Sequence, residues 1–238
     1  MAAPGFSTQF SDLPATLPVF PLGGVLLLPF GRLPLNIFET RYLIMTDDAL
    51  GADRLIGVIQ PTESDVGLQT KPSLYKTGCA GRITAFSETD DGRYLVTLLG
   101  ICRFDIDQEI DSMRGYRRIM PDWQPYKADI SQPDKLDFNK ERLMQALKNY
   151  FEKKTIDADW SAINSMEDTQ LITTLAMICP FSATEQQALL VANQIEDRAA
   201  TMISLLEMAP FVSATLSKAS STLSLLNNSR LAASGLPV

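Results

Sequence analysis

Apolar and polar residues alternate along much of the first half of the chain with the period of two that indicates β-strands. The clearest example is a pair of runs, residues 79–87 and 94–99, on either side of a turn at residues 89–92. Gly92 can adopt the positive φ that such a turn requires. We expect a third strand after Gly100 and another at residues 116–120. The pattern predicts a meander of antiparallel strands. In the first run, one face carries Gly81, Ile83 and Ala85, and the other carries Arg82, Thr84 and Phe86.

Short apolar runs punctuated by proline and glycine come before this meander. Residues 17–22 and 25–28 are predicted to be two strands around the Gly23-Gly24 turn, and residues 55–59 a third. Between them, a helix is predicted at residues 39–50, with Ile37 and Phe38 packing just upstream and Gly51 as a left-handed stop. Its apolar positions are Tyr42, Met45 and Ala49. Residues 62–77 lack a clear period and predict a long loop.

From Asp134 onward the period becomes helical. Ser182 and Glu185 form a capping box that opens one of the predicted helices, and Cys179-Pro180 ends the helix before it. Stripes this regular predict helices that pack on one another in a bundle, in preference to an exposed partner-binding face. The stripes are Leu136, Leu143, Leu147, Tyr150 and Phe151, then Leu171, Leu175 and Ile178, and finally Ile195, Ala199, Met202 and Leu206.

The patterns divide the chain into four parts. Residues 1–12 are small and polar, and they predict a flexible tail. Residues 13–126 are predicted to be a β-rich subdomain and residues 127–209 a helical bundle. Residues 210–238 carry little charge, so we expect them to fray or to form a marginal helix.

Composition excludes several classes of function. The net charge of −7 argues against nucleic acid as a partner, because a phosphate-binding surface needs clustered lysine and arginine. The sequence has no histidine, which excludes Ser-His-Asp and Cys-His nucleophiles and histidine metal sites. The three cysteines, Cys79, Cys102 and Cys179, are widely spaced. We expect buried thiols in a reducing cytoplasm, with a redox pair of Cys79 and Cys102 as the less favoured alternative.

Residues 13–30 are uncharged and long enough to cross a bilayer, but prolines and the Gly23-Gly24 pair interrupt any continuous helix there. The first basic residue is Arg32, so the segment also lacks the basic region of a signal peptide. We therefore expect a soluble protein with no membrane partner.

Paired carboxylates occur at residues 47–48, 90–91 and 196–197, in turns or helix ends where acidic side chains stabilise the backbone. The sequence contains no Gly-Lys dipeptide and hence no phosphate-binding G-x-x-x-x-G-K-[ST] loop. About thirty residues follow Met208, with one lysine, which is too few for a peptidase domain. We expect no catalytic residue, no cofactor and no metal.

Several short motifs follow one another in a specific order. The motifs are LPVFPL at 17–22, LP at 28–29, LPLNIFETRY at 33–42, Asp53-Arg54 with Gly57, GCAGRI at 78–83, DGRY at 91–94, Gly100 with Arg103-Phe104, Ser182 and Glu185 with Leu189-Leu190, and EDR at 196–198. In order and spacing they resemble the substrate-binding N-terminal domain of Lon proteases, especially its stand-alone bacterial versions, from about Leu17 to about Met208. The chain departs from that family at Asn36, where histidine is frequent, and at Phe30, which is inserted into a Pro-Gly turn.

The resemblance implies an α+β fold. Its N-terminal part is a pair of curled antiparallel β-sheets with one helix, a PUA-like pseudo-barrel, and its C-terminal part is an α-helical bundle. We expect Glu39 and Arg41 to form ion pairs that attach the helix to the sheets, with Arg103 as a candidate partner. The motif residues expected to be structural are Phe38, Glu39, Arg41, Tyr42, Gly81, Gly100 and Arg103.

The resemblance also implies a non-catalytic module that binds unfolded or damaged polypeptides and serves an ATP-dependent protease in protein quality control. Such binding needs accessible apolar side chains, and our candidates are Phe30, Leu33 and Phe86, with residues 62–77 as a flexible rim. For each candidate the alternative is an ordinary core residue. Two other functions stay open: a small-molecule binder or enzyme in a cleft between sheets and bundle, and a homo-oligomeric assembly module.

Overall fold

Strands and helices segregate along the chain in the computed structural model, which describes residues 8–62, 72–111, 114–132 and 136–208. Six strands form one mixed sheet in the order β2-β5-β4-β3-β1-β6, and β6 pairs again with β5. Five strands therefore close into a ring, and β2 extends the sheet alongside β5. The strands are β1 (Leu17–Pro21), β2 (Arg32–Ile37), β3 (Leu55–Ile59), β4 (Thr77–Glu88), β5 (Tyr94–Ile110) and β6 (Arg117–Asp122).

Within the described residues, one α-helix lies in the β-rich half and five follow it. The capping box is confirmed, because the Ser182 hydroxyl accepts from the Glu185 N–H and the Glu185 carboxylate accepts from the Ser182 N–H. Asn139 caps α2 in the same way, through the N–H of Arg142. The helices are α1 (Thr40–Leu50), α2 (Lys140–Lys154), α3 (Trp160–Asn164), α4 (Asp168–Ile178), α5 (Ala183–Val191) and α6 (Ile195–Met208).

Alternation along the ring strands produces two apolar cores. One fills the ring around Phe104, which is fully buried with Leu17 and Ile119. A Cβ on Gly57 would lie 3.0 Å from the Phe104 ring, so glycine provides room for that side chain. The other core lies outside the ring, where α1 and the bundle cover the sheet. β3 contributes to both cores and is buried along its whole length.

The α+β class is confirmed. The expected pair of antiparallel sheets is instead one sheet in which all six strands are hydrogen-bonded. This sheet is mixed because β1 and β3 run parallel, joined by a connection that contains α1. Strand β5 is 17 residues long and spans two of the predicted strands. It continues through Gly100, where a Cβ would overlap the carbonyl oxygen of Leu28. Gly81 is similarly confined, since a Cβ there would lie 2.8 Å from Leu27 and 2.9 Å from Leu98.

One strand prediction near the N-terminus was wrong, and one strand was missed. Residues 25–28 are not a strand, although Leu26, Leu27 and Leu28 are buried as predicted for an apolar run. Residues 32–37 do form a strand, β2, which the prolines concealed. Pro34 is compatible with β2 because this strand lies at the edge of the sheet, where a missing N–H costs no ladder hydrogen bond.

The helix predicted at 39–50 is confirmed as α1, and Tyr42, Met45 and Ala49 are buried on one face. Its end differs from the prediction. Gly51 has right-handed backbone angles, and the left-handed residue is Arg54, with φ 59°. Helix α2 starts at Lys140, so Leu136 precedes it while still packing against the same core. Helix α3 was not predicted.

The predicted subdomain boundaries remain predictions. The chain passes residue 126 within a 3₁₀ helix, Gln124–Ile130. Part of the predicted N-terminal tail also has structure, since Phe10–Asp12 form a 3₁₀ turn and Phe10 packs against the ring core. Residues 1–7, most of the predicted loop at 62–77, and the predicted marginal helix at 210–238 lie outside the described residues.

Arg103 connects the two halves of the fold. Its guanidinium donates to both carboxylate oxygens of Asp129 at 2.8 Å, and the Arg103 side chain is only 4% exposed. It also donates to the main-chain oxygens of Leu190, in the last turn of α5, and of Ala192 and Asn193, which follow that helix. β5, the 3₁₀ helix and the bundle are thus held together through one side chain.

The expectation that Glu39 and Arg41 attach α1 to the sheet through Arg103 was wrong. Glu39 and Arg41 pair with each other at 2.8 Å, and both side chains are about half exposed. The Arg41 guanidinium also lies 4.6 Å from the ring of Tyr42, which packs against Phe20 at 4.2 Å. Tyr42 therefore attaches α1 to β1 by apolar packing.

The positions of the cysteines exclude the alternative of a redox pair formed by Cys79 and Cys102. All three cysteines are free and buried. Cys79 belongs to the outer core and Cys102 to the ring core, so the two thiols lie on opposite faces of the sheet. Burial raises the pKa of Cys179 and of Cys102 to about 12, and it raises the pKa of Cys79 as well. These thiols are suited to packing and not to nucleophilic chemistry.

Candidate functional site

Part of the sheet projects beyond the ring. β3 pairs with β4 only as far as Arg82, whereas β4 continues to Glu88 and pairs there with β5. β2 pairs with the same part of β5 on its other side. We call this three-stranded extension, together with Phe38 directly after β2, the arm; it comprises residues 83–88, 94–99 and 32–38.

The arm has an inner face that packs on the outer core. Val96 and Leu98 are buried there, and Leu33 and Leu35 of β2 pack beside them. We call the end of the arm next to the β4–β5 turn at residues 89–92 the tip, and the opposite end the base. Near the tip the outer core no longer covers the inner face. Phe86 is 42% exposed there and contacts Tyr94 edge to face, with ring centroids 4.9 Å apart. The tip therefore presents an aromatic pair at the boundary between core and solvent.

A β-bulge determines which face Phe86 occupies. Simple alternation in the sequence places Phe86 on the face opposite Ile83. The register shifts between Ile83 and Ala85, however, so that Ile83 pairs with Leu98 and Phe86 with Val96. Ile83 and Phe86 thus share the inner face, and the predicted alternation beyond Ile83 was wrong. Phe86 is exposed because it lies beyond the covered part of that face.

Of the three candidate binding residues, Leu33 and Phe86 lie on the arm, and Phe30 lies next to its base. Leu33 shares the inner face with Phe86, but it is half-buried and packs against the core near the base. Phe30 lies at the base, in the turn before β2, where the N–H of Gly31 donates to the carbonyl of Leu28. Phe30 is partly exposed, and it has a φ of 65°, which is unusual for a residue with a side chain.

Sequence reasoning missed two exposed apolar residues of the arm. Phe38, expected to pack upstream of α1, is 66% exposed instead. Leu95 is 45% exposed and pairs with Asn36, on the face opposite Val96. The signal was present in β2, where Leu33, Leu35 and Ile37 face the core at every second position. Continuing that alternation places Phe38 away from the core.

Acidic groups surround the tip. Asp91 accepts from the hydroxyl of Thr89, and this hydrogen bond is the main reason why the pKa of Asp91 is lowered. A hydrogen bond to Asp47 of α1, together with burial, raises the pKa of Tyr94. Asp91 is paired with Arg93 at 2.8 Å, while Glu88 is exposed beside them. The tip combines apolar contact area with negative charge.

A groove of about 600 Å³ lies elsewhere, in the bundle, where α2 ends and α3 begins. It is lined by Lys148, Phe151, Glu152, Thr155, Ile156, Asp157 and Trp160. The Lys148 ammonium lies 5.9 Å from the Trp160 ring. This groove is not the cleft between sheet and bundle in which a small-molecule site was considered.

Residues 8–62, 72–111, 114–132 and 136–208 contain neither a cluster of potential metal ligands nor a long apolar helix. No group of histidine, cysteine, aspartate or glutamate residues in these segments could hold a metal ion. In the same segments, no helix has both the length and the apolar character needed to cross a membrane.

Comparison with known proteins identifies the family. The profile of the ATP-dependent protease La (LON) substrate-binding domain matches residues 16–208. The chain belongs to the Lon substrate-binding domain family. A Lon protease from Flavobacterium johnsoniae is 27% identical over 193 residues, which is 79% of this chain and 23% of the relative. Lon protease 2 from Sorangium cellulosum is 31% identical over 104 residues, which is 43% of this chain and 13% of the relative.

Solved structures show the same fold. The crystal structure of a Lon N-terminal domain protein from Xanthomonas campestris aligns with a TM-score of 0.55 and 23% identity, covering 82% of this chain and 99% of that one. The N-terminal domain of a Mycobacterium avium complex Lon protease aligns with a TM-score of 0.53 and 13% identity, covering 81% and 98%. The chain matches whole N-terminal domains, but it spans only about a quarter of the Flavobacterium protease.

Proposed function

We propose that this member of the Lon substrate-binding domain family binds unfolded or damaged polypeptides through the arm. The observation that carries the proposal is that three apolar side chains of the arm are each more than 40% exposed: Phe86 on its inner face, Leu95 on the opposite face, and Phe38 directly after β2. Burial of apolar surface is a largely sequence-independent form of recognition, and it suits clients that share exposed apolar residues.

The size of the arm sets the expected strength of binding. A few hundred Å² of apolar contact contributes several kcal/mol at about 25 cal/mol per Å², before the cost of association is subtracted. One arm therefore binds weakly, with a dissociation constant in the micromolar range or above. This range corresponds to a binding free energy of about 8 kcal/mol or less in magnitude. Several copies acting on one client would bind more tightly.

The proposal makes the chain a binding module without catalytic residues of its own. The family match is to a substrate-binding domain, and the cysteines are buried with raised pKa values. In this proposal the module acts in cytoplasmic protein quality control and delivers clients to a protease; the matching family is described as the substrate-binding domain of an ATP-dependent protease. Phe30 and Leu33, at the base of the arm, contribute less contact area than the tip.

Substitutions on and off the arm test this function. Phe38→Ser and Phe86→Ser should each weaken binding of a fluorescently labelled, reduced and carboxamidomethylated lysozyme in an anisotropy titration. Met120→Ser is the matched control, since Met120 is 40% exposed on β6, away from the arm. Equal binding by all three variants and the parent protein would remove the arm from the proposal.

A further inference from the structure

The hydrogen bonds at the tip show in which direction the N–H and C=O groups of each β4 residue point. The N–H of Thr89 donates to the carbonyl of Arg93 across the turn. In an antiparallel pair, residues alternate between those that bond to the partner strand and those that point away from it. Counting back from Thr89, Ser87 and Ala85 bond to β5. The N–H and C=O groups of Phe86 and Glu88 therefore point away from β5.

On the side of β4 to which these groups point, the described residues provide a partner strand only as far as Arg82. β3 pairs with β4 up to Arg82, and the N–H of Ile83 still donates to the carbonyl of Arg54. Beyond Ile83, no strand of the described residues pairs with β4 on that side. All five residues from Thr84 to Glu88 are exposed. We call this side of residues 84–88 the β4 edge.

The opposite edge of the arm, formed by β2, is less suited to the addition of a strand. The N–H of Gly100 donates to the carbonyl of Gly31, which fixes the phase of the β2–β5 ladder. By the same alternation, Arg32, Pro34 and Asn36 point away from β5. Pro34 has no N–H to offer at the centre of that edge, and proline is a common means by which proteins prevent strand addition. The β4 edge carries no proline.

We propose that the β4 edge binds an extended segment of an unfolded polypeptide as an added β-strand. This inference rests on the proposed function and specifies how the client is held. Main-chain hydrogen bonds to Phe86 and Glu88 are available to a client of any sequence, as strand addition requires. Phe86 lies at the centre of the β4 edge, and its partly exposed side chain can contact the added strand.

Charge favours a particular kind of client segment. Glu88 and Asp90 flank the tip end of the β4 edge, and Asp53 precedes β3 at its base, with Arg54 next to it. The whole chain carries a net charge of −7. An extended segment with lysine or arginine beside its apolar residues is therefore favoured over an acidic one.

Proline substitution separates the main-chain contribution from that of the side chain. Glu88→Pro removes an outward N–H and places a ring against the incoming strand, while the ladder to β5 is retained because residue 88 does not bond to it. Glu88→Ala removes the same carboxylate and keeps the N–H. With carboxamidomethylated lysozyme as the client, we expect Glu88→Pro to bind about tenfold more weakly than Glu88→Ala.

The same substitution on the other edge is the control. Asn36→Pro removes an outward N–H from β2, and it should leave client binding unchanged. If Glu88→Pro and Glu88→Ala bind equally well, strand addition is refuted while binding through exposed side chains survives. If the parent protein does not bind the unfolded client at all, the proposed function itself fails, and the inference fails with it.

Hydrogen exchange identifies the occupant of the β4 edge. In the free protein, the amides of Phe86 and Glu88 should exchange rapidly, and saturation with the client should slow them by at least about tenfold. Slow exchange of both amides in the free protein would show that the edge is already occupied, by another part of this chain or by a second copy. That result would overturn the inference.

Discussion

Arg103 offers the strongest test of how the two halves of the fold are held together. Replacing it with methionine removes the buried partner of Asp129, whose side chain is only 9% exposed. The substitution also removes the donors to three carbonyl oxygens at the end of α5 and just after it. Methionine retains much of the apolar volume, so the change acts mainly on polar groups.

The expected loss of stability follows from the buried polar groups that the substitution leaves without a partner. Removing one partner of a buried ion pair typically costs about 3–5 kcal/mol, because the remaining charge is buried without compensation. The three carbonyl groups add to this cost unless water reaches them. A domain of ordinary stability has about 5–15 kcal/mol in total. Arg103→Met should therefore remove about a third or more of the free energy of unfolding.

Urea denaturation monitored by fluorescence of the two tryptophans, Trp123 and Trp160, measures this change. Arg142→Met is the matched control, since Arg142 forms a 2.7 Å pair with Glu207 on the surface. Solvent screens that pair, so the control should shift the midpoint little. Equal, small shifts for Arg103→Met and Arg142→Met would refute the idea that the Arg103 contacts hold the halves together.

Three further predictions concern packing and titration. Gly100→Ala should destabilise the protein by at least about 2 kcal/mol in the same assay because the new methyl group meets the Leu28 carbonyl, whereas Gly23→Ala, with 3.6 Å to Pro61, should be tolerated. Burial alone would raise the pKa of Asp105, but hydrogen bonds from Thr77, Lys76 and Tyr126 outweigh it and lower the pKa. That stabilisation is present above the unfolded pKa of about 4 and is lost as the pH falls through the folded pKa. The melting temperature of Asp105→Asn should consequently decline less than that of the parent below about pH 4; an identical decline would contradict this assignment. Finally, a thiol reagent at pH 8 should leave the three buried cysteines unmodified in the native protein and label all of them in urea, and rapid native labelling would show that a thiol is accessible.

Features set by neighbouring residues could be predicted from the sequence. The stripe of α1 and the capping box at Ser182 depend on residues three or four positions apart, and both are present. Leu33 is half-buried and Phe86 is exposed, as residues close to turns can be, while their role in binding stays a prediction. The family resemblance supplied the order of the elements.

Features set by the sheet as a whole could not be predicted. Pro34 indicates a break when read locally, but β2 has a free edge and tolerates it. The bulge after Ile83 changes the face on which Phe86 lies, and nothing in the alternation reveals it. Each of these outcomes depends on contacts between residues far apart in the chain.

The most direct test of the central claim compares one client in two states. The purified protein should bind reduced, carboxamidomethylated lysozyme saturably in an anisotropy titration, and native lysozyme about tenfold more weakly or not at all, because native folding buries the apolar residues and occupies the main-chain groups that the arm would contact. Equal affinity for both states, or no binding to either, would contradict the account.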